Sequence, residues 1–220
     1  MEKPSELKTL SELTKASFYT SYLVLFGYTT ITLVEAIRTP SPQVRHIMNI
    51  ETAISLVAGM VYSYFNEEVR KPGVDLKTIT QIRYVDWSIT TPLILLVMLL
   101  FYNPGSPIDY KTYAGIVGLN AGMLASGYLG ETGRISKMAG GLWGFGFFGA
   151  MLALFVSCCL PSKSNLTVFA IFALIWTLYG VVYYIEDEET KNICYNTLDV
   201  IAKALFGVVL WTYYGKVLKY

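Results

Sequence analysis

The sequence predicts an all-α membrane protein, a bundle of seven transmembrane helices, and three observations carry that expectation. Of the 220 residues 54% are hydrophobic and 15% aromatic, with a mean hydropathy of +0.46, more apolar surface than a soluble domain of this size buries around one core. Seven stretches are long enough to cross about 30 Å of hydrocarbon at 1.5 Å per residue. The segments between them are short, and no linker, low-complexity run or internal repeat divides the chain.

The spans fall near 16–37, 45–65, 78–102, 108–130, 135–160, 165–185 and 190–217, giving one membrane domain over 16–220 after a polar head at 1–15. The head mixes Glu2, Lys3, Glu6, Lys8, Glu12 and Lys15 with no apolar core, so it is not a cleavable signal and the first span directs insertion. The second span opens with the single histidine, His46, at its polar boundary; one imidazole builds no metal site. The fifth span ends in Cys158 and Cys159 and the seventh holds Cys194. That spacing fits neither a zinc site nor a set of bridges, and leaves packing or acylation at the membrane edge. A net charge of +1 gives no basic surface for nucleic acid, so lipid is the expected surrounding. No nucleophile and base stand together as an enzyme would need.

Lys203 is the most telling residue. It lies in Leu198-Asp199-Val200-Ile201-Ala202-Lys203-Ala204-Leu205-Phe206, one helical turn after Asp199, so amine and carboxylate share a face. Charges at membrane depth are costly unless paired or used. The third span repeats the theme in Arg83-Tyr84-Val85-Asp86-Trp87-Ser88-Ile89-Thr90-Thr91-Pro92: Arg83, Asp86 and Thr90 stand at i, i+3 and i+7 on one face. Asp86 and Asp199 suffice to hold one buried cation, with Arg83 balancing the second negative charge. A structural salt bridge is the plainer explanation, but apolar residues would pack two helices at lower cost. A desolvated lysine amine can instead attack an aldehyde, giving a Schiff base whose protonated form needs a nearby anion. Trp176, Tyr179 and Tyr183 at i, i+3 and i+7 of the sixth span, with Trp87 and Trp143, would then line an extended polyene, although such a stripe also suits plain core.

These motifs, with Asn120, Met123 and Gly127 on the fourth span, Trp143 and Met151 on the fifth, and Trp176, Tyr179 and Tyr183 on the sixth, closely resemble the microbial (type 1) rhodopsins over nearly the whole chain. The resemblance implies all-trans retinal on Lys203, with Asp86 as counterion and proton acceptor and Asp199 as second counterion beside Arg83. It implies a pocket made by Trp87, Thr90, Thr91, Ile94, Met123, Gly127, Trp143, Trp176, Tyr179 and Tyr183. It also implies an amino terminus outside the cell, although the loop lysines and arginines do not favour that orientation, and a homo-oligomer.

Three departures from the family's outward proton pumps bear on function. The position eleven residues after Asp86, where those pumps carry a carboxylate that returns the proton, is Val97. Lys191 replaces a glutamate of the archaeal proton-release group. Gly180 replaces a proline next to the retinal. A substitute acid exists on the second span: Glu51, about two turns inside the boundary, expected to face the region of Val97. Glu51, with Ser55 and Asn196, then lines an ion path or supplies protons. The resemblance is nearest to the channel-forming viral rhodopsins, which implies a light-gated channel passing protons or small cations. An outward proton pump with Glu51 as donor is the alternative, and a sensory photoreceptor stands behind both.

Overall fold

The computed structural model describes residues 10–103, 105, 107–158, 163–205, 207–209 and 212, and the backbone alone at 163–165. Most of the expected head, Cys159 and the end of the seventh span lie outside that set. The described chain forms α1 (Glu12–Arg38), α2 (Pro42–Glu68), α3 (Leu76–Tyr102), α4 (Tyr110–Glu131), α5 (Lys137–Cys158), α6 (Lys163–Val182) and α7 (Glu188–Asp199), the last running directly into a π-helical turn, Val200–Leu205. The short connections make sequential helices antiparallel neighbours. The end of the bundle at which α1 begins is the near face, and the other is the far face.

Side-chain caps explain where the helices start. Ser11, Ser41, Asp75, Asp109 and Asp187 each accept a hydrogen bond from a first-turn backbone N–H, satisfying donors that have no partner inside the helix. Because Ser11 caps α1, residues 12–15, expected in the head, are its first turn. Pro42 supplies a fixed φ where α2 begins. Within α3, Pro92 has no N–H to continue the ladder. The Thr90 and Thr91 hydroxyls bond back to the Asp86 and Trp87 carbonyls at 2.9 and 2.6 Å, and Tyr113 of α4 donates to the Pro92 carbonyl at 3.1 Å.

Among the described residues only α1, α3 and α5 are by themselves long and apolar enough to cross a membrane, and the apolar run of α6, Leu166–Val182, is shorter. The others carry polar side chains that they turn inward: Glu51 on α2, Asn120 on α4, and Asn192, Asn196 and Asp199 on α7 are all buried. Their outer faces expose apolar residues such as Leu56, Met60, Leu178 and Val181, as lipid contact requires. The interior divides in two. Toward the far face, Ile47, Met48, Leu95, Val97, Met98, Met151 and Phe155 form an apolar core. Toward the near face, Phe18, Tyr62, Phe65 and Ile79 surround a polar centre. Glycines bring α4 and α5 close: a methyl group on Gly140 would run into the Ser126 carbonyl, and one on Gly122 into the Phe147 ring.

Candidate functional site

Lys203 lies mid-bundle and is 2% exposed. Its Nζ is 2.5 Å from Asp86 Oδ2 on α3 and 3.3 Å from Asp199 Oδ1 at the end of α7. The expected trio is therefore assembled, and the π turn that carries Lys203 is a local departure of a kind that recurs at functional sites.

The two carboxylates differ in how fully they are held. Asp199 Oδ2 accepts from Tyr62 at 2.8 Å and Arg83 at 3.4 Å, while Oδ1 accepts from Tyr179 at 2.8 Å and Trp87 Nε1 at 3.2 Å. Asp86 has Lys203 alone on Oδ2, and its buried Oδ1 has no hydrogen-bond partner among the described residues. Asp199 is thus a saturated anion, and Asp86 keeps oxygen lone pairs in reserve.

Arg83 is fully buried beneath this pair. It donates to the Asn192 Oδ1 from Nε at 3.3 Å and Nη2 at 3.1 Å, to Asn196 Oδ1 from Nη2, and to the Tyr62 hydroxyl at 2.8 Å. Its guanidinium carbon lies 5.1–5.8 Å from the ring centres of Phe18, Tyr62, Phe65 and Tyr195, within cation–π range. Tyr62 and Asn192 were not singled out from the sequence. Asn192, Asn196, Asp199 and Lys203 follow one another at spacings of four, three and four, so a polar stripe along the seventh span was there to be read.

Two adjoining cavities start at this cluster. One, about 400 Å³ of space between atoms, is lined by Lys203, Ala202, Trp87, Thr91, Ile94, Met123, Leu124, Trp176 and Tyr179. The other, about 520 Å³, shares Trp87, Met123, Leu124, Trp176 and Tyr179 and continues to Gly127, Gly144, Phe145, Phe148, Gly180 and Tyr183. Together they make an apolar slot with the Lys203 amine at one end and the two carboxylates bonded behind it, a lining that fits an extended polyene aldehyde. The glycines admit neighbouring rings as walls: a methyl on Gly180 would overlap Phe145, and one on Gly127 the Tyr84 hydroxyl.

Most expected pocket residues line the slot. Thr90 stands behind it, bonded to the Asp86 carbonyl. Trp143 is displaced: it is 58% exposed and turned out of the bundle. The α5 wall is instead Gly140, Gly141, Gly144, Phe145 and Phe148, whose shared face lies about 130° around the helix from position 143 at 100° per residue.

Of the three residues grouped from the sequence, Glu51 and Ser55 lie together one turn apart on α2, and Asn196 is bonded elsewhere, to Arg83 and Ser17. Glu51 is 3% exposed and accepts from the Tyr28 hydroxyl of α1 at 3.3 Å, and a methyl on Gly207 would overlap both groups. Ser55 bonds to the Glu51 carbonyl at 2.8 Å and accepts from Thr29 at 2.9 Å. Glu51 therefore pairs with α1 rather than α3, while Val97 lies in the apolar core with Leu95 and Met98. Asn196 belongs to the Arg83 layer on the near side. Lys191, wholly buried, is held by Glu131 at 3.2 Å and Glu188 at 3.2 Å. Of the remaining candidates, His46 is exposed on α2 and Asn120 bonds to Thr91 at 2.7 Å. Cys158 is exposed and Cys194 half-buried. Among the described residues no group of histidines, cysteines and carboxylates forms a metal site.

Known proteins resemble the chain over nearly its whole length. The family model described as bacteriorhodopsin-like protein matches residues 12–217. Opsin-1 of Neurospora crassa is 25% identical over 93% of this chain and 77% of its own. A green-light absorbing proteorhodopsin from Gamma-proteobacterium EBAC31A08 is 23% identical over 91% and 86%. The crystal structure of viral rhodopsin OLPVRII superposes with a TM-score of 0.90 at 38% identity, covering 94% of this chain and all of that one. The chain belongs to the bacteriorhodopsin-like family: it is a microbial rhodopsin, a multi-pass membrane protein in which light absorbed by retinal is coupled to ion transport.

Proposed function

We propose that this rhodopsin is a light-gated channel for protons or small cations, with all-trans retinal on Lys203 and the near face outside the cell. Bound retinal supplies light absorption and a bond that isomerises. The protein's part is to hold a proton at the Lys203 nitrogen, receive it and open a path. Asp86, 2.5 Å away with one oxygen unpartnered, is the acceptor. Asp199, tied by Tyr62, Tyr179, Trp87 and Arg83, stays charged and keeps the site neutral overall.

The observation that carries the channel reading is the contrast about Glu51. Beyond Lys203 toward the far face, position 97 is an apolar valine, and the buried acid is bridged to Tyr28 where α1, α2 and Gly207 converge. The Glu51 side chain itself hangs on that one hydrogen bond, a closure that breaks when Tyr28 or Glu51 swings away, as a gate must. Its counterpart is the polar near half. The outward-pump reading rests on the same acid: Glu51 would return a proton to Lys203 after Asp86 had taken one.

Photocurrents under voltage clamp separate the two. A channel gives currents that reverse sign at the cation equilibrium potential, and outward current at every voltage would overturn it. Glu51→Gln should change channel conductance or closing rate; if it instead slows proton return at least tenfold and azide restores the rate, Glu51 is a pump donor.

A further inference from the structure

Arg83 is a donor whose supply is fully spent. A guanidinium carries five N–H bonds and no acceptor. Nε and one Nη2 hydrogen go to Asn192 Oδ1 at 3.3 and 3.1 Å, and the other Nη2 hydrogen goes to Asn196 Oδ1. The two on Nη1 go to the Tyr62 hydroxyl at 2.8 Å and to Asp199 Oδ2 at 3.4 Å. None is left for Asp86, whose buried Oδ1 is the carboxylate oxygen without a hydrogen-bond partner among the described residues. Asn192 thus takes two of the five donors. Its amide cannot be turned over: Nδ2 donates to the Glu188 carbonyl at 2.9 Å, an oxygen that only accepts, and to the Thr80 hydroxyl at 3.1 Å, whose own hydrogen goes to the Glu188 carboxylate at 3.3 Å. Oδ1 must therefore face the guanidinium. Thr80 and Arg83 stand one turn apart on α3 and bracket Asn192 between them.

We propose that Asn192 is a positioning residue for light-driven proton transfer: by occupying two Arg83 donors it keeps the guanidinium off Asp86 and so keeps the acceptor oxygen open. This rests on the reading of Lys203 as the retinal amine and Asp86 as proton acceptor, which the channel and the pump share, and adds the residue that holds the acceptor ready. A carboxylate that accepts from a guanidinium is a stabilised anion and takes up a proton less readily. Without the Asn192 carbonyl, two buried N–H groups lose their acceptor, a cost that is recovered only by finding another. The open oxygen of Asp86 meets that need, since Arg83 and Asp86 stand at i and i+3 on one face of α3. The charged groups around Asp86 are Lys203, Asp199 and Arg83, with Tyr62 and Tyr179 bonded to Asp199. Of the three, Arg83 is the one whose place Asn192 governs.

The test reads the visible absorption band of the purified, retinal-loaded protein and its rate of proton transfer after a flash. In Asn192→Leu the Arg83 charge is drawn to Asp86 and offsets the anion beside the Lys203 nitrogen. The band should move to longer wavelength, because the ground-state positive charge is held less firmly at that nitrogen, and proton transfer to Asp86 should slow several-fold. Asn192→Asp keeps an acceptor for both donors and adds a negative charge on the near side, so its band should stay in place or move to shorter wavelength. In an Arg83→Gln background Asn192→Leu should add no shift, since its effect runs through the guanidinium. An unmoved band in Asn192→Leu, a shift of the same sign in Asn192→Asp, or the same shift without Arg83 each overturns the proposal. Asn192→Ala replaces Asn192→Leu if the latter forms no visible band. If Asp86→Asn leaves proton transfer unchanged, the acceptor reading itself fails, a result distinct from a working Asp86 that Asn192 does not govern.

Discussion

The two halves of the bundle on either side of Lys203 are built on opposite principles. In the near half Arg83, Tyr62, Asn192, Asn196 and Asp199 satisfy one another in a closed network, with aromatic rings packed around the guanidinium. In the far half the side chains are mainly Ile, Leu, Val and Met, and the one acid described above, Glu51, hangs on one phenol. Networks in a low-dielectric interior are rigid when complete and fragile when one member is removed. The near half is thus a fixed electrostatic frame. The far half is held mainly by apolar contacts, with separate hydrogen bonds between α1 and α2 (Tyr28 to Glu51, Thr29 to Ser55 and Thr52 to Thr32) in place of one network centred on a charge.

Four changes would break or sharpen that contrast. The largest effect is at the junction: Lys203→Ala removes the attachment amine, and the purified protein given retinal should show no visible absorption band. Next, Asp199→Asn should destabilise the retinal-free protein by about 3–5 kcal/mol, the usual loss when one partner of a buried ion pair is removed. It leaves Arg83 without its carboxylate, and thermal unfolding in detergent reads the cost. A loss under 1 kcal/mol would mean that the near frame is not closed. Tyr28→Phe in the far half should cost less, about 1–3 kcal/mol for one unsatisfied buried acceptor, yet it should change the closing rate of photocurrent several-fold. If its effects match those of Asp199→Asn, the halves do not differ as described.

The smallest effect is at the surface. The Thr112 hydroxyl holds the Asp109 carboxyl below the usual carboxylate range. A depressed folded value means that the α4 cap is at full strength above the unfolded value of about 3.9 and is lost as pH falls through the lowered one. The protection factors of the Lys111 and Thr112 amides, that is, exchange relative to the intrinsic rate at each pH, should therefore hold constant at ordinary working pH and fall only in acid.

How much of this was legible follows the same divide. The grouping of Lys203 with Asp86, Asp199 and Arg83 could be read because membrane burial of a charge leaves few explanations. Glu131 could not be matched to Lys191, since they are 60 positions apart and nothing local points from one to the other. Tyr28 was hidden for the same reason, being one of 17 tyrosines in a chain where most are packing. Trp143 misled because residue type was followed where rotation about α5 decides: three glycines and two phenylalanines, individually bland, turn inward and the tryptophan turns out. Gly180 is legible in sequence only as a missing proline, and the structure gives its steric side, since Phe145 occupies the room a larger residue would need.

The π turn at Val200–Leu205 has a mechanical meaning. A turn closed by i→i+5 bonds carries a surplus residue relative to its neighbours, so the helix stores a slack of one register step at the point where the chromophore is tethered. Taking up that slack would rotate everything beyond Lys203 by about 100° relative to Asp199, one α-helical residue. Partial uptake would swing Gly207 away from Tyr28 and Glu51 while leaving Asn192 and Asn196 clasped to Arg83. The seventh helix is in this sense a ratchet with one free tooth, anchored at one end and able to slip at the other.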